Sequence, residues 1–198
     1  MRKIFCVMGK SATGKDTIYE NLLMDKDLGL KSIIPYTTRP IRDGEEDGRE
    51  YHFVTEAEML RLEAEGLIVE RRLYNTVYGP WYYFTVNDGS IDLEKEDYLL
   101  IQTVEGYVKV RDYFGADRVV PIYVEVEDGE RLLRAIAREK KQDVPKYEEM
   151  CRRFLADAKD FSEENLAALD ITKRFINDNL DDTESQIKEF ILQKKVTQ

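Results

Sequence analysis

Gly9-Lys10-Ser11-Ala12-Thr13-Gly14-Lys15-Asp16-Thr17 lies directly behind the apolar run Ile4–Met8 and directly ahead of Ile18, Leu22 and Leu23, which recur at helical spacing. A short apolar run closed by a glycine reads as a buried strand, so the stretch is a strand–loop–helix junction. Glycines let such a loop wrap until its backbone N–H groups point inward. Lys15 adds a point charge, and the following helix start contributes partial positive charge; together these cradle a phosphate. The bare Gly-x4-Gly-Lys spacing is weak alone, and its place between strand and helix is what gives it meaning. The position after the lysine, where a hydroxyl would ligate Mg²⁺, holds Asp16, with Thr17 one place later. A carboxylate beside phosphate oxygens is repulsive unless a cation lies between them. Asp16 is therefore a candidate Mg²⁺ ligand, directly or through water; the other reading is a first-turn residue complementing the helix dipole.

Outward from this junction, strand and helix patterns alternate at both ends of the chain. Residues 32–36 read as a second strand, and 51–54 as a strand running into a helix at Thr55, where Thr55 and Glu58 match a capping box. The polar segment 37–50, with Pro40, Gly44 and Gly48, reads as an ordered loop. Residues 67–74 and 78–86 are β-rich and are predicted to pair antiparallel. A strand over 98–103 precedes a helix over 105–114. Another strand over 119–126 precedes a helical region over 130–161 that Pro145 should break. A short strand at 174–176 and a helix over 181–194 close the chain. The pattern predicts an α/β fold, a parallel sheet flanked by helices, with a small β-rich insertion near residues 35–95. A ligand would then sit at the carboxyl ends of the strands.

Composition narrows the function classes. The 198 residues suit one domain, and 40 acidic against 30 basic residues give a net charge of −10. A nucleic-acid coat or an anionic-membrane binder should lean the other way, so cations for phosphate must be placed locally. Apolar runs of about five residues are far too short to span a bilayer or to form a signal h-region. Cys6 and Cys151 form no metal spacing, and two thiols point to a reducing compartment. The expectation is a soluble, cytoplasmic, single-domain protein with no nucleic-acid or membrane partner.

The segment from Tyr36 to Phe53 puts Arg39 and Arg42 three residues apart in a glycine-bearing loop. That spacing suits two guanidinium forks closing on one phosphate group, with a tyrosine hydroxyl donating beside them. The competing reading is a pair of surface arginines balancing an acidic loop.

In order and spacing, the phosphate loop, Thr37-Thr38-Arg39-Pro40, Arg42-x-Gly44-Glu45, Gly48-x-x-Tyr51-x-Phe53 and Tyr78-Gly79 resemble the guanylate kinase family. The resemblance runs from residue 4 to about 190 and is strongest over 9–80. It implies an ATP-dependent nucleoside monophosphate (NMP) kinase, with ATP and Mg²⁺ as cofactors and GMP or dGMP as the first acceptor. Three regions follow: a core of about 1–34 and 96–198, an NMP-binding region of about 35–95, and a helical lid of about 134–156. Gly9, Ser11, Ala12, Thr13, Gly14, Lys15, Asp16 and Thr17 fall in the ATP loop, and Asn177 in the segment near the adenine. Arg39, Arg42, Tyr51 and Tyr78 match the monophosphate-binding positions, and Glu70 matches the carboxylate that reads guanine. Chemistry supports Glu70 if it faces a base, because a carboxylate accepts from guanine N1–H and N2–H₂.

Departures from the family pattern bear on the base. Pro35 stands where the family has a base-contacting serine, and Pro80 replaces a small hydroxyl residue. Ile101 and Thr103 hold the places of two aspartates, so Thr103 retains a hydroxyl without charge. Where the family has a helix, 82–86 reads as strand. Arg131, Arg134 and Arg138 stripe one helix face, with Arg152 and Arg153 beyond the break. The lid reading takes Lys15, Arg39, Arg152 and Arg138 (or Arg134) as the catalytic set; the other reading is a salt-bridged helix surface. Two rival functions remain open: a P-loop kinase of another phosphorylated acceptor, and a guanylate-kinase-like binding module that has lost catalysis.

Overall fold

The computed structural model describes residues 1–42, 44–76 and 79–196 of the chain, without the side chain of Thr76. Strand β1 (Ile4–Met8) is buried at every residue. A strand covered on both faces reads as an unbroken apolar run, and β1 is central. It pairs in parallel with Asp97–Ile101 on one side and Val119–Glu125 on the other, which become β7 and β8 in chain order. Leu30–Ser32 (β2) extends the sheet beyond β7, and Arg174–Ile176 (β9) extends it beyond β8, giving the order β2-β7-β1-β8-β9.

Alternate residues of β1 serve opposite faces. Ile4, Cys6 and Met8 join Tyr107 and Val110 of helix α3 (Val104–Phe114), while Phe5 and Val7 join Ile18 and Leu22 of α1 (Lys15–Met24) and Ile187 and Ile191 of α7 (Leu180–Val196). Each large apolar side chain so buried contributes roughly 1.5–3 kcal/mol.

A second, four-stranded sheet is built from residues 36–86, in the order β4-β3-β6-β5. Here β3 is Tyr36–Thr37, β4 His52–Phe53, β5 Ile68–Thr76 and β6 Gly79–Val86. β5 and β6 pair antiparallel, as the β-rich pattern predicts, with a bulge between Ile68 and Glu70. Helix α2 (Glu56–Ala64) packs Met59 and Leu62 on Phe84 and Val86 of this sheet. Its start is capped as predicted, Thr55 accepting from the Glu58 amide at 3.2 Å.

Three expectations need correction. The strand predicted over 32–36 is two strands in different sheets, β2 and β3, because the chain crosses between sheets at Ile33–Pro35 and the Pro35 carbonyl accepts from His52. The helical region after Val126 begins at Asp128, with Glu127 as its cap. It divides into α4 (Asp128–Glu139) and α5 (Tyr147–Asp160), with Pro145 in the gap. A short α6 (Glu163–Ala168), capped by Ser162, follows and was not predicted.

Candidate active site

The phosphate loop leaves the carboxyl end of β1, and Gly14 caps α1 with φ of +82°. Gly9 and Thr13 are buried, and the Thr13 hydroxyl donates to the Lys10 carbonyl across the loop at 2.9 Å. Ala12 also takes a positive φ, 65°, a strained choice for a residue with a Cβ. Lys15 lies in the first turn of α1, its Nζ 3.3 Å from the Asp16 carboxylate. Asp16 and Thr17 are exposed at the helix start. Asn177, just past β9, is buried and donates from Nδ2 to the Thr13 carbonyl at 2.8 Å. It therefore shapes the loop as well as standing near it.

A second brace comes from the helices after β8. Arg131 is fully buried, donating to the Ser11 carbonyl at 2.9 Å and lying 3.5 Å from Asp157 of α5. Its Nε donates to Asp128 at 3.0 Å, and its guanidinium lies 4.5 Å over the Phe154 ring. Asp157 accepts in turn from the Ser11 amide at 2.7 Å. Loop, α4 and α5 are thus one polar unit. The arginine stripe pointed at this helix face, but nothing in the sequence marked Asp157.

The arginine loop is built around a fork. Arg39 is 3 % exposed and donates from both Nη atoms to Glu45, at 2.8 and 2.9 Å. Its guanidinium lies 5.4 Å from the ring centres of both Tyr51 and Phe53. Burial works against this cation, but Glu45 and the nearby Tyr83 phenol outweigh it and hold its pKa above the usual arginine value. Glu45 is pulled below the carboxylate range chiefly by the Arg39 hydrogen bond. The Nε–H of Arg39 is buried with no acceptor among the described residues. Tyr51 packs edge-on against Tyr83, and burial first, then that neighbour, raise its phenol. Arg42 is exposed, its backbone amide donating to Glu45. Tyr78 lies outside the described residues.

Glu70 of β5 has no exposed side-chain surface. It pairs with Arg72 at 3.0 Å and accepts from Thr85 at 2.9 Å and Gln102 at 2.8 Å. Gln102 directly follows β7, so this cluster ties the second sheet to the core sheet. Sequence reading passed over Gln102 and Arg72. Thr103 caps α3, accepting from the Gly106 amide at 3.1 Å. Among the predicted lid arginines, Arg152 pairs with Glu149 at 2.7 Å and stays largely exposed, Arg134 pairs with Glu130 at 2.9 Å, and Arg138 is exposed.

Metal chemistry turns on hard oxygen donors. Mg²⁺ keeps several waters and takes one or two carboxylates plus substrate phosphates. An exposed Asp16 beside Lys15 fits that donor set, and no group of three or more His, Cys, Asp or Glu able to hold a metal ion exists among the described residues. No helix among the described residues is long and apolar enough to cross a membrane.

A glycine loop between the first strand and first helix of a parallel sheet, linked to a smaller sheet carrying a buried arginine fork, defines an α/β phosphotransferase of the NMP kinase class. The family model described as guanylate kinase matches residues 1–194, and the chain belongs to that family. It is 31 % identical to guanylate kinase of Porphyromonas gingivalis over 98 % of both chains. It is 30 % identical to that of Caldanaerobacter subterraneus, over 97 % of this chain and 87 % of the relative. The crystal structure of guanylate kinase from Anaplasma phagocytophilum superposes with a TM-score of 0.65 at 22 % identity, covering 99 % of this chain and 87 % of that one, which bears on the fold.

Proposed function

We propose that this chain transfers the terminal phosphoryl group of ATP to GMP or dGMP. One observation carries the assignment of the acceptor side: the buried Arg39 Nε–H has no acceptor among the described residues, beside Tyr51 and in a fork already braced by Glu45. A buried donor without a partner is costly unless a ligand supplies the acceptor, and a phosphate oxygen is suited to it. Arg42, Tyr51 and Tyr78 complete the acceptor-phosphate set.

On the donor side, the loop amides and Lys15 hold the ATP phosphates, with Gly9, Ser11, Ala12, Thr13 and Gly14 forming the cradle and Asn177 bracing it. Mg²⁺, when bound, would neutralise charge on the donor phosphate oxygens, and Asp16, with Thr17 next to it, is the residue assigned here to hold it. No general base is required, because the acceptor phosphate is already anionic at neutral pH, and catalysis is positioning plus charge stabilisation. Arg138 makes no ion pair with a described residue, and the Arg152–Glu149 pair is of the exposed kind worth about 0–1 kcal/mol. Both are therefore free to swing over the transferred group and exclude water, which would otherwise divert ATP to hydrolysis.

The test is ADP formation from MgATP against a panel of nucleoside monophosphates, with Lys15→Ala as control. ADP made with GMP and dGMP and lost in the variant is the expected result. ATP binding without turnover on any monophosphate would overturn the assignment.

A further inference from the structure

The cations of the phosphate loop are matched by carboxylates of the chain itself. Lys10 and Lys15 belong to the loop, and Arg131 donates to its Ser11 carbonyl. Lys10 Nζ lies 3.1 and 3.3 Å from the two oxygens of Asp128. Arg131 shares that carboxylate through Nε at 3.0 Å and lies 3.5 Å from Asp157, which also accepts from the Ser11 amide at 2.7 Å. Lys15 Nζ, the charge the loop offers to the donor phosphates, lies 3.3 Å from Asp16 Oδ2. Each of these cations thus faces a carboxylate, in a chain whose net charge is −10.

Asp16 differs from the other two carboxylates. Asp128 and Asp157 hold the loop from α4 and α5, whereas the Asp16 side chain is 70 % exposed and touches the one lysine meant for phosphate. A carboxylate in a first helical turn ordinarily serves the helix dipole or a cap. Here Gly14 is the cap, and among the described residues Asp16 takes a hydrogen bond from Lys15 and from no backbone amide. The dipole favours any anion at that end, and a bound phosphate uses the same helix start and the same loop amides. Asp16 therefore competes with the nucleotide for the positive end of α1.

The sign of that competition depends on what the nucleotide carries. Toward a bare polyphosphate, Asp16 is a like charge and a rival for the Lys15 ammonium. Like charges about 4 Å apart at a protein surface weaken an equilibrium by about 100- to 1000-fold. Toward a polyphosphate that carries a divalent cation the sign reverses, because a carboxylate beside phosphate oxygens is the donor set that Mg²⁺ takes. Lys15, let go by Asp16, then turns to the phosphates; an exposed pair of this kind is weak and opens readily. A hydroxyl in the same place is neutral. It neither repels the bare nucleotide nor holds Lys15.

We propose that Asp16 couples nucleotide binding to a divalent cation: the Lys15–Asp16 pair excludes bare ADP and ATP and opens only to the nucleotide–cation complex. The proposal rests on the reading of residues 9–17 as the ATP loop and states which form of the nucleotide that loop admits. Asp16 is on this account a selectivity residue as well as a cation ligand. By linkage, the cation raises nucleotide affinity and the nucleotide raises cation affinity by the same factor.

Calorimetric titration of the full chain with ADP and with a non-hydrolysable ATP analogue, each in Mg²⁺ and in EDTA, decides it without any turnover. The unaltered chain is compared with Asp16→Asn and Asp16→Ser. Expected is a tightening by Mg²⁺ of about 100-fold or more in the unaltered chain and of about tenfold or less in either variant. The difference should come chiefly from the bare nucleotides, which the variants should bind at least about tenfold more tightly than the unaltered chain does. A residue acting only through the helix dipole would shift bare and Mg²⁺-bound nucleotide alike and leave the ratio unchanged in the variants, which would overturn the proposal. So would bare nucleotide bound by the unaltered chain within about tenfold of its Mg²⁺ complex. Either result leaves the ATP loop standing. Binding of neither nucleotide, with or without Mg²⁺, would overturn the loop reading and the proposal together. Should a variant fail to fold, the ratio on the unaltered chain still decides.

Discussion

Asn177 stands where a side chain on Gly14 would have to go. Its Nδ2, which donates to the Thr13 carbonyl at 2.8 Å, lies 2.6 Å from the position of a Cβ on residue 14. The carboxyl end of β9 thus braces the phosphate loop at the point where α1 begins. Gly14→Ala meets both this contact and a left-handed backbone, itself costing about 1–2 kcal/mol for a residue with a Cβ. The expected outcome is a KM for ATP raised at least about tenfold, measured with GMP saturating.

Asn177→Ala removes the brace from the other side. The Thr13 carbonyl loses its side-chain donor, which should lower stability by about 1–3 kcal/mol. For a chain of this size each kcal/mol shifts the melting temperature by roughly 2–4 °C. A thermal scan of the variant with and without ATP checks it, and ATP should recover less of the loss than it does for the unaltered chain.

Asp157→Ala cuts the link between α5 and the loop. The Ser11 amide loses its acceptor and the fully buried Arg131 loses one of its two carboxylates. A fall of about 1–3 kcal/mol in stability is expected, together with a lower kcat. Urea unfolding and turnover measured on the same preparation test the two halves of this expectation.

Arg39→Lys replaces a planar fork by a point charge. It gives up the two-bond brace to Glu45 and the buried Nε–H that the proposed function assigns to the acceptor phosphate. Losing one charge-assisted bond is worth about 1.5–3 kcal/mol, so the KM for GMP should rise roughly 10- to 150-fold with the KM for ATP little changed.

Asp97 supplies a pH dependence. Burial pushes its carboxyl up, but the Lys3 amide, Lys195 and Arg2 outweigh burial and hold it below the usual carboxylate range. These contacts, at 2.8, 3.1 and 2.9 Å, tie the start of the chain and the end of α7 to β7. A carboxyl whose folded pKa lies below its unfolded value stabilises the fold fully above the unfolded value, about 3.9, and the gain is lost as pH falls through the folded value. Asp97→Asn should therefore be less stable than the unaltered chain at pH 7, and the gap should close as the pH drops below about 4. Denaturant titrations at the two pH values measure it.

Much of the fold was legible from local pattern. β1, α1, the β5–β6 pair, the Thr55 cap and the strand in place of a helix at 82–86 all follow from periodicity and turn chemistry over a few residues. The boundary that failed, residues 32–36, is one where the chain changes sheets, and an apolar run carries no mark of which sheet it joins. The site divides along the same line. The phosphate loop and the Arg39–Glu45 segment are contiguous, so their spacing carried them. Gln102 and Asp157 carry no motif, and each acquires meaning only from a partner tens of residues away.

By itself, then, the amino-acid order determined the class: an α/β chain with a phosphate loop, an arginine fork and the family they mark. Such information is local, because helix and strand periods and loop chemistry act within a turn or two. Only the tertiary structure decided that Arg131 braces the loop through Ser11 and Asp157, and that Glu70 is covered by Arg72, Thr85 and Gln102. Burial makes the difference. Whether a carboxylate is a free acceptor or a closed ion pair depends on which donors the packed sheets bring within about 3 Å of it, and no spacing along the chain records that.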